Sequence, residues 1–256
     1  MTNLINNTKV KIALTSDLHA GISINTYNIH QDFLEELTAE VWDVLILAGD
    51  LGTCTFAHFE SLIKHVRKVI PTRPIVAVRG NHDLWDKEIV RWDRSFTLKT
   101  LFERSEDVFK TYNIHHLDKN FFFRDVAFIG WDGWYQMANP MTNDELWMPR
   151  QIEGSPTHIW LQRKAQKDFY KVIDRADDLR PKVRKIVAVT HMPIFKGPEI
   201  SESHAGNTKW IEFLEDKCDV LCYGHTHHLL DMNIYGIRVI NSGSDYEKPK
   251  YKIFDV

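Results

Sequence analysis

Three histidines follow an apolar run near the C-terminal end of the chain. Residues 220–230 read VLCYGHTHHLL, so His225, His227 and His228 come directly after what has the composition of a buried strand. One histidine at such a position needs no special explanation, but three in four positions indicate a metal site. Alternate residues of an extended backbone lie on the same side, so His225 and His227 can reach one centre.

Four further polar blocks stand in the same relation to an apolar run. Each places Asp, His or Asn residues directly after a predicted strand. Carboxylate, amide and imidazole groups are donors of intermediate hardness, which suit Mn, Fe, Zn, Ni or Co better than ions that select thiolates. The blocks are SDLH with Asp17 and His19, AGD with Asp50, RGNHD with Asn81, His82 and Asp83, and THMP with His191.

The apolar runs alternate with helical patterns. VKIALTSD, DVLILAGD and PIVAVRGNHD predict three buried strands, and amphipathic helices over 29–41 and 56–70 separate them. A charged helix over about 157–179 precedes KIVAVTHMP, and a short helix over 210–217 precedes CDVLCYGHTHH. This alternation predicts βαβ crossovers and a mainly parallel sheet, whose strand ends converge on one crevice. The runs LLDMNIYGIRVINSGS and YKIFDV predict closing antiparallel strands.

The chain shows no internal repeat, low-complexity tract or linker, so we expect one domain over residues 1–256. Residues 131–160 hold four of the eight tryptophans, three methionines and three prolines. This density predicts a loop or cap over the site, where an aromatic side chain could stack on a substrate base. The alternative is a hydrophobic cluster packed beneath a long loop. The aromatic candidates are Trp85, Trp131, Trp134, Tyr135 and Trp147.

Composition narrows the classes of partner and compartment. The formal net charge of −3 argues against a broad polyanion-binding surface. The three cysteines form no disulfide framework, which fits a reducing compartment. We see no signal peptide, and no apolar run approaches the roughly 20 residues that cross a bilayer. We therefore expect a cytoplasmic protein without a membrane partner, and the sequence leaves its oligomeric state open.

In combination and order, the five blocks resemble the calcineurin-like metallophosphoesterase superfamily. The pattern of that superfamily is D-x-H, G-D, G-N-H-[DE], H and G-H-x-H, and all five blocks occur here between Asp17 and His227. The resemblance implies an α/β fold, a four-layer α/β/β/α sandwich with a binuclear metal centre at its edge. It implies two divalent transition ions of the Mn, Fe, Zn or Ni type. By this correspondence one ion binds Asp17, His19 and His227, the other binds Asn81, His191 and His225, and Asp50 bridges the two.

The resemblance also implies the catalytic groups. His82 corresponds to a histidine that contacts the phosphate and protonates the leaving oxygen, and Asp83 would orient its ring. Two divalent ions, two aspartates and a bridging hydroxide leave about one positive charge, which favours an anionic phosphoester. The ions lower the pKa of the bridging water, so hydroxide is available at neutral pH to attack phosphorus.

The kind of phosphoester is a narrower question. Protein phosphatases of this superfamily carry GDYVDRG and GNHE, whereas this chain has GDLGTC and GNHD and offers only Arg79 as a cation within its blocks. A diester monoanion needs less positive charge than a monoester dianion, so we favour a phosphodiesterase acting on a small substrate such as a nucleotide. The alternatives are a phosphomonoesterase or nucleotidase, then a nuclease, and then a non-catalytic interaction module like the retromer subunit of this fold.

Overall fold

Two β-sheets stacked between helices form the centre of the fold, because short runs rich in Val, Ile and Leu alternate with amphipathic helices. The helices are Thr26–Ala39 (α1), Phe56–Val69 (α2), Lys87–Trp92 (α3), Leu98–Thr111 (α4) and Thr157–Leu179 (α5), with 3-10 turns at His82–Leu84, Glu202–His204 and Trp210–Leu214. The computed structural model describes residues 9–23, 25–92, 96–136, 147–149, 156–197 and 200–256.

The first sheet has five strands and is parallel except at one edge. Its strands are Lys11–Thr15 (β1), Val44–Ala48 (β2), Ile75–Val78 (β3), His115–His116 (β4) and Lys252–Asp255 (β11). They lie in the order β11-β1-β2-β3-β4, and only β11 runs antiparallel, against β1. The predicted antiparallel closure of the chain by YKIFDV is therefore confirmed.

The second sheet has six strands. They are Phe121–Phe123 (β5), Val126–Trp131 (β6), Lys185–Thr190 (β7), Val220–Cys222 (β8), Leu229–Ile234 (β9) and Ile237–Ser242 (β10). The order is β5-β6-β7-β8-β10-β9, with antiparallel pairs at both edges. Strand β10 pairs antiparallel with β9, as predicted for this segment, and it also pairs parallel with β8, which the sequence did not predict. Its carboxyl end therefore reaches the same edge as that of β8.

Successive side chains along each strand point to opposite faces of the sheet, so they belong to two separate hydrophobic cores. In β2, Val44 and Ile46 face the other sheet, while Leu45 and Leu47 pack beneath the helices. All five residues of this strand are buried, as expected for a strand covered on both faces. Phe128 of β6 enters the layer between the sheets, and α5 packs on the outer face of β6. The predicted α/β/β/α order of layers is confirmed.

Two details differ from the sequence-based prediction. Helix α1 ends at Ala39, and Val41 is 71% exposed rather than part of its apolar face. The buried apolar face of α1 instead comes from Phe33, Leu34 and Leu37. Leu37 follows Phe33 by four residues and Leu34 by three, as expected for one face of a helix. Within the predicted cap at 131–160, residues 137–146 and 150–155 lie outside the described residues. None of the helices in the described ranges has the length and apolar character that spanning a bilayer requires.

Candidate metal centre

The candidate ligands come from loops at the carboxyl ends of both sheets. The loops after β1 and β2 are joined by backbone hydrogen bonds, from Asp17 N to Gly49 O and from His19 N to Asp50 O, at 2.9 and 3.0 Å. In the second sheet, Gly224 N donates to His191 O at 3.1 Å. The first sheet supplies Asp17, His19, Asp50 and Asn81, and the second supplies His191, His225 and His227.

One group of side chains consists of Asp17, His19 and His227, with ligand atoms within 4.8 Å of one another. Nε2 of His227 lies 3.3 Å from Nε2 of His19 and 3.4 Å from Oδ1 of Asp17. The Asp17 carboxylate also accepts hydrogen bonds from the backbone N–H of His225, at 2.9 and 3.0 Å. These bonds hold the carboxylate against the loop that carries the two histidines of the GHTH block.

The second group consists of Asp50, His191 and His225, again within 4.8 Å. Nδ1 of His191 donates to the carbonyl oxygen of Ala48 at 2.8 Å, which turns Nε2 towards the centre. There Nε2 lies 3.3 Å from Oδ2 of Asp50 and 3.2 Å from Oδ1 of Asn81. The structure thus brings all four of these predicted side chains to one place.

Two of the histidines are neutral because they are buried. Burial lowers the pKa of His19 to about 3 and that of His225 to about 3, since a buried ring resists charge. A neutral imidazole has a lone pair available for a metal ion. These two rings, one in each group, therefore have the protonation state that ligation requires.

The other two histidines carry charge that balances the buried carboxylates. Burial opposes a charge on His191, but the Asp50 carboxylate outweighs it and raises the pKa of that ring to about 10. In the same way, burial is outweighed at His227 by its contact with Asp17, which raises the pKa to about 9. Both aspartates are at most 1% exposed. The buried carboxylates of Asp17 and Asp50 thus require positive charge beside them, whether protons or metal ions supply it.

Five of the seven candidate ligands have a left-handed backbone. This conformation costs a residue with a side chain on the order of 1 kcal/mol and is concentrated at functional sites. The close approach of the loops also needs glycine, since a Cβ at Gly80 would lie 2.0 Å from Oδ1 of Asp50. The φ angles are 52° at Asp17, 47° at His19, 53° at Asp50, 70° at His225 and 57° at His227.

The family model for calcineurin-like phosphoesterases matches residues 10–229, from the first strand to the end of the GHTH block. The chain belongs to this family. Its members hydrolyse phosphoesters with metal ions, and the two clusters described above consist of side chains that could bind such ions. A search of the curated proteins found no match.

Several solved structures have the same fold as this calcineurin-like phosphoesterase. Phosphopantetheinyl hydrolase from Mycobacterium tuberculosis has a TM-score of 0.68 and 17% identity, over 93% of this chain and 90% of that chain. A dimetal phosphatase from Danio rerio has a TM-score of 0.61 and 11% identity, over 91% and 86%. A candidate 5′-nucleotidase from Staphylococcus aureus has a TM-score of 0.59 and 14% identity, over 96% of this chain and 51% of that one.

His82 lies beside the candidate metal ligands of this phosphoesterase. Its Nε2 is 3.9 Å from Oδ2 of Asp50, and its backbone N–H donates to Oδ1 of the same carboxylate at 2.8 Å. The ring stacks on Trp85, with centroids 3.6 Å apart and planes at 28°. On the other side Nδ1 lies 2.9 Å from the hydroxyl oxygen of Thr53. The ring is therefore fixed in position, with one nitrogen towards the centre.

Asp83, which is predicted to orient the His82 ring, has its carboxylate against backbone N–H groups. Its carboxylate accepts three backbone hydrogen bonds at 2.8 Å, from the N–H groups of Leu51, Gly52 and Gly80. Burial, followed by repulsion from Asp50, raises the pKa of Asp83 to about 7 despite these donors. Asp83 thus ties the GDLG loop to the GNHD loop, and Thr53 supplies the contact to the ring.

Two further neighbours of the ligands were missed by the sequence reasoning. Oδ1 of Asp245 lies 2.9 Å from Nδ1 of His227. The ring of Tyr246 lies 4.4 Å from that of His19, between centroids, and the residue is 42% exposed. Both follow β10, and a polar SGSDY segment after a parallel strand is the signal that would have found them.

The predicted cation of the motif blocks is directed away from the ligands. The Arg79 guanidinium donates to Oδ2 of Asp132 at 3.0 Å, to Oε1 of Glu106 at 2.8 Å and to the hydroxyl of Ser105 at 2.6 Å. Its side chain is 3% exposed. These hydrogen bonds hold the Arg79 guanidinium in a buried network next to the candidate metal centre.

The aromatic candidates divide into two groups. Trp131, Trp134 and Tyr135 are at most 8% exposed and belong to the core beneath the helices, which agrees with the packing alternative. Trp147 contacts the ring of Trp85 edge-on, with centroids 4.7 Å apart, and is only partly buried. Trp85 therefore covers one face of the His82 ring, and Trp147 packs against Trp85.

Proposed function

We propose that this protein hydrolyses a small phosphodiester, such as a nucleotide diester, with two divalent ions bound by the seven side chains described above. The observation that carries the proposal is the position of Asp50. Its Oδ2 lies 3.3 Å from Nε2 of His191 in one group and 3.9 Å from Nε2 of His19 in the other. A carboxylate shared by two ligand groups is the arrangement of a dinuclear centre.

The donor set fits divalent transition ions. It contains imidazole nitrogens, carboxylate oxygens and one amide oxygen without a thiolate, which suits Mn, Fe, Zn or Ni. When bound, two such ions supply positive charge at the phosphoryl group and lower the pKa of an attacking water. The protein fixes their positions through backbone hydrogen bonds to Asp17 and through the Ala48 carbonyl, which accepts from His191.

In the proposed reaction, His82 protonates the leaving oxygen. The attacking water loses a proton to solvent and forms its oxygen–phosphorus bond as the ester oxygen–phosphorus bond breaks, and the departing oxygen takes a proton from Nε2 of the imidazolium form of His82. Thr53 supports this role, because its hydroxyl oxygen can accept from Nδ1–H of that form while Nε2–H faces the leaving oxygen. Stacking on Trp85 holds the ring at the angle in which Nε2 faces the centre.

The diester preference is supported by the charge balance. Two divalent ions, Asp17, Asp50 and a hydroxide leave about one positive charge, and the Arg79 guanidinium is committed to Asp132 and Glu106. One unit of charge matches a diester monoanion better than a monoester dianion. Tyr246, 42% exposed beside His19, offers an aromatic surface for a base.

A phosphomonoesterase is the second candidate. It is favoured by the names of two structures with the same fold, a dimetal phosphatase and a candidate 5′-nucleotidase. Their identities of 11% and 14% limit the likeness to the fold, so their substrates do not decide the ester class for this chain.

The test is a comparison of two nitrophenyl esters on Mn²⁺-loaded protein. We expect a higher kcat/KM for bis-nitrophenyl phosphate than for nitrophenyl phosphate, after division by the uncatalysed rates. Asp50→Asn serves as the inactive reference, because it removes the shared ligand without removing bulk. Faster monoester hydrolysis would transfer the assignment to a phosphatase or nucleotidase, and no hydrolysis of either ester would favour an interaction module.

A further inference from the structure

A cleft with a volume of about 770 Å³ lies between α4 and α5, beside β4. None of the seven candidate ligands is among the residues that line it. Its walls include Phe102 and Glu106 from α4, Trp160 and Lys164 from α5, and His116 at its base. The cleft is therefore separate from the centre described above and has its own set of ionisable groups.

Nδ1 of His116 is buried against two carboxylates at this position. Its side chain is 5% exposed, and Nδ1 makes no hydrogen bond with any described residue. Nδ1 nevertheless lies 2.8 Å from Oε1 of Glu106 and 3.4 Å from Oδ1 of Asp118, so two oxygens approach it without hydrogen-bond alignment. A buried nitrogen with two carboxylates around it and no hydrogen bond points to a ligand that all three share.

The spacing of these atoms fits a single metal ion. The three ligand atoms lie within 4.8 Å of one another. Nitrogen and oxygen ligands lie about 2.1 Å from a divalent transition ion, so neighbouring ligand atoms around one ion are about 3 to 3.5 Å apart. The two measured separations from Nδ1 lie at or near this range.

Nε2, the other ring nitrogen of His116, contacts a carboxylate, as the non-coordinating nitrogen of a metal-ligating histidine often does. Nε2 lies 2.9 Å from Oδ1 of Asp132, so this carboxylate would keep the proton on Nε2 when an ion displaces the one on Nδ1. Asp132 is itself held by Arg79, which donates to Oδ2 at 3.0 Å. The His116 ring also stacks on Phe109, with planes at 10°. Its orientation towards Glu106 and Asp118 is therefore fixed before any ion arrives.

Without an ion, a proton occupies the position at Nδ1. Burial and the Arg79 guanidinium oppose a charge on the ring, but Asp132 and Asp118 outweigh them and raise the pKa of His116 to about 10. A divalent ion at Nδ1 would displace that proton and take over its pairing with the carboxylates. Glu106 and Asp118 have side chains that are 41% and 49% exposed, so the remaining coordination positions would open to the cleft and to water.

We propose that His116, Glu106 and Asp118 bind a third divalent transition ion, independent of the dinuclear centre. The ligand set of one imidazole and two carboxylates suits Mn²⁺, Co²⁺ or Zn²⁺. The signal in the sequence is H-x-D in the HHLD segment after α4, the reverse of the D-x-H block at Asp17.

The test is a count of Zn²⁺ per chain after equilibrium dialysis of the full-length protein. Glu106→Gln and Asp118→Asn change partly exposed side chains, so both variants should fold, which circular dichroism verifies. Glu103→Gln is the matched control, because this residue lies on the same helix and lines the same cleft. We expect each test variant to bind one ion fewer than wild type and the control to bind the wild-type number.

This difference of one ion is expected whether or not the dinuclear centre binds as proposed. A second readout is the ¹⁵N chemical shift of the His116 ring, in which Zn²⁺ should move the Nδ1 resonance of wild type and Glu103→Gln but not of Asp118→Asn. Equal Zn²⁺ counts in wild type and both test variants, or an unmoved Nδ1 resonance at saturation, would overturn the site and leave a buried ion-pair network in its place.

Discussion

The hydroxyl oxygen of Thr53 lies 2.9 Å from Nδ1 of His82, on the side of the ring that faces away from Asp50. This contact holds Nδ1 away from the centre and so keeps Nε2 on the side that faces Asp50. The residue sits in the GDLGTC block, three positions after the predicted bridging aspartate. A metal ligand and the group that orients the proposed acid are therefore adjacent in the same loop.

Thr53→Val should slow the reaction without loss of metal, because valine keeps the shape and removes the hydroxyl. We expect kcat to fall about tenfold on an alkyl or ribose ester and less on a nitrophenyl ester, whose leaving group needs no proton. Thr53→Ser retains the hydroxyl and should stay close to wild type. Steady-state kinetics on both esters measures the effect.

His82→Ala should lose at least as much rate as Thr53→Val, because it removes the ring that Thr53 contacts. It should retain both ions and lose roughly 10²–10⁴ in rate on the poor leaving group. An equal loss on both esters would indicate that the ring binds phosphate and does not donate a proton.

Asp50→Asn should weaken both ions of the centre together, since its carboxylate lies between the two ligand groups. Elemental analysis of protein purified without chelator should give up to two ions per chain fewer in the variant than in wild type, whatever the occupancy of the separate site at His116. Asp177→Asn is the control, because this carboxylate is 54% exposed and pairs with Lys217 on the surface. Loss of one ion alone would contradict a bridging role.

Metal binding should release protons at neutral pH. The pKa values of about 10 for His191 and about 9 for His227 mean that both rings are charged without ions, and both must lose a proton to become ligands. Apparent affinity should therefore rise with pH and level off above pH 10. Calorimetry in buffers of different ionisation enthalpy should give at least two protons per chain at pH 7.5, whereas affinity independent of pH between 7 and 9 would refute these assignments.

Phe128→Ala should destabilise the fold by about 3–5 kcal/mol, because it empties space in the layer between the sheets. Phe122→Ala is the matched control on the neighbouring strand, where the side chain is 51% exposed, and it should change the free energy of unfolding by less than about 1 kcal/mol. Urea unfolding of both variants measures the difference. Similar losses in the two would show that Phe128 does not fill the layer.

The sequence carried enough information to place the ligand-bearing loops. Val44 to Asp50 could be read directly, because a fully buried strand is continuously apolar and its end is marked by polar residues. The direction of β10 could not, since alternation along a strand is the same in parallel and antiparallel pairs. That is why Asp245 and Tyr246, which follow β10, were missed.

The direction of individual side chains also could not be predicted from the sequence. Arg79 and Asp83 each lie two residues from Asn81, yet Arg79 points into the network with Asp132, and Asp83 points at backbone N–H groups. Both directions depend on partners that are distant in sequence. Asp132 is the partner that Arg79 needed, and it lies in a segment that the motif pattern does not include.

The division of the ligands between the two sheets has a mechanical consequence. Each proposed ion would be held by loops of both sheets, with Asp17 joined to His227 and Asn81 joined to His191, so the ions would add cross-links to the hydrogen bonds that already join the two sheets. Such links form only in the folded chain, and they must open before the sheets can separate. Chelation should then speed amide hydrogen exchange in β2 and β7 together, far beyond the loops that touch the ions.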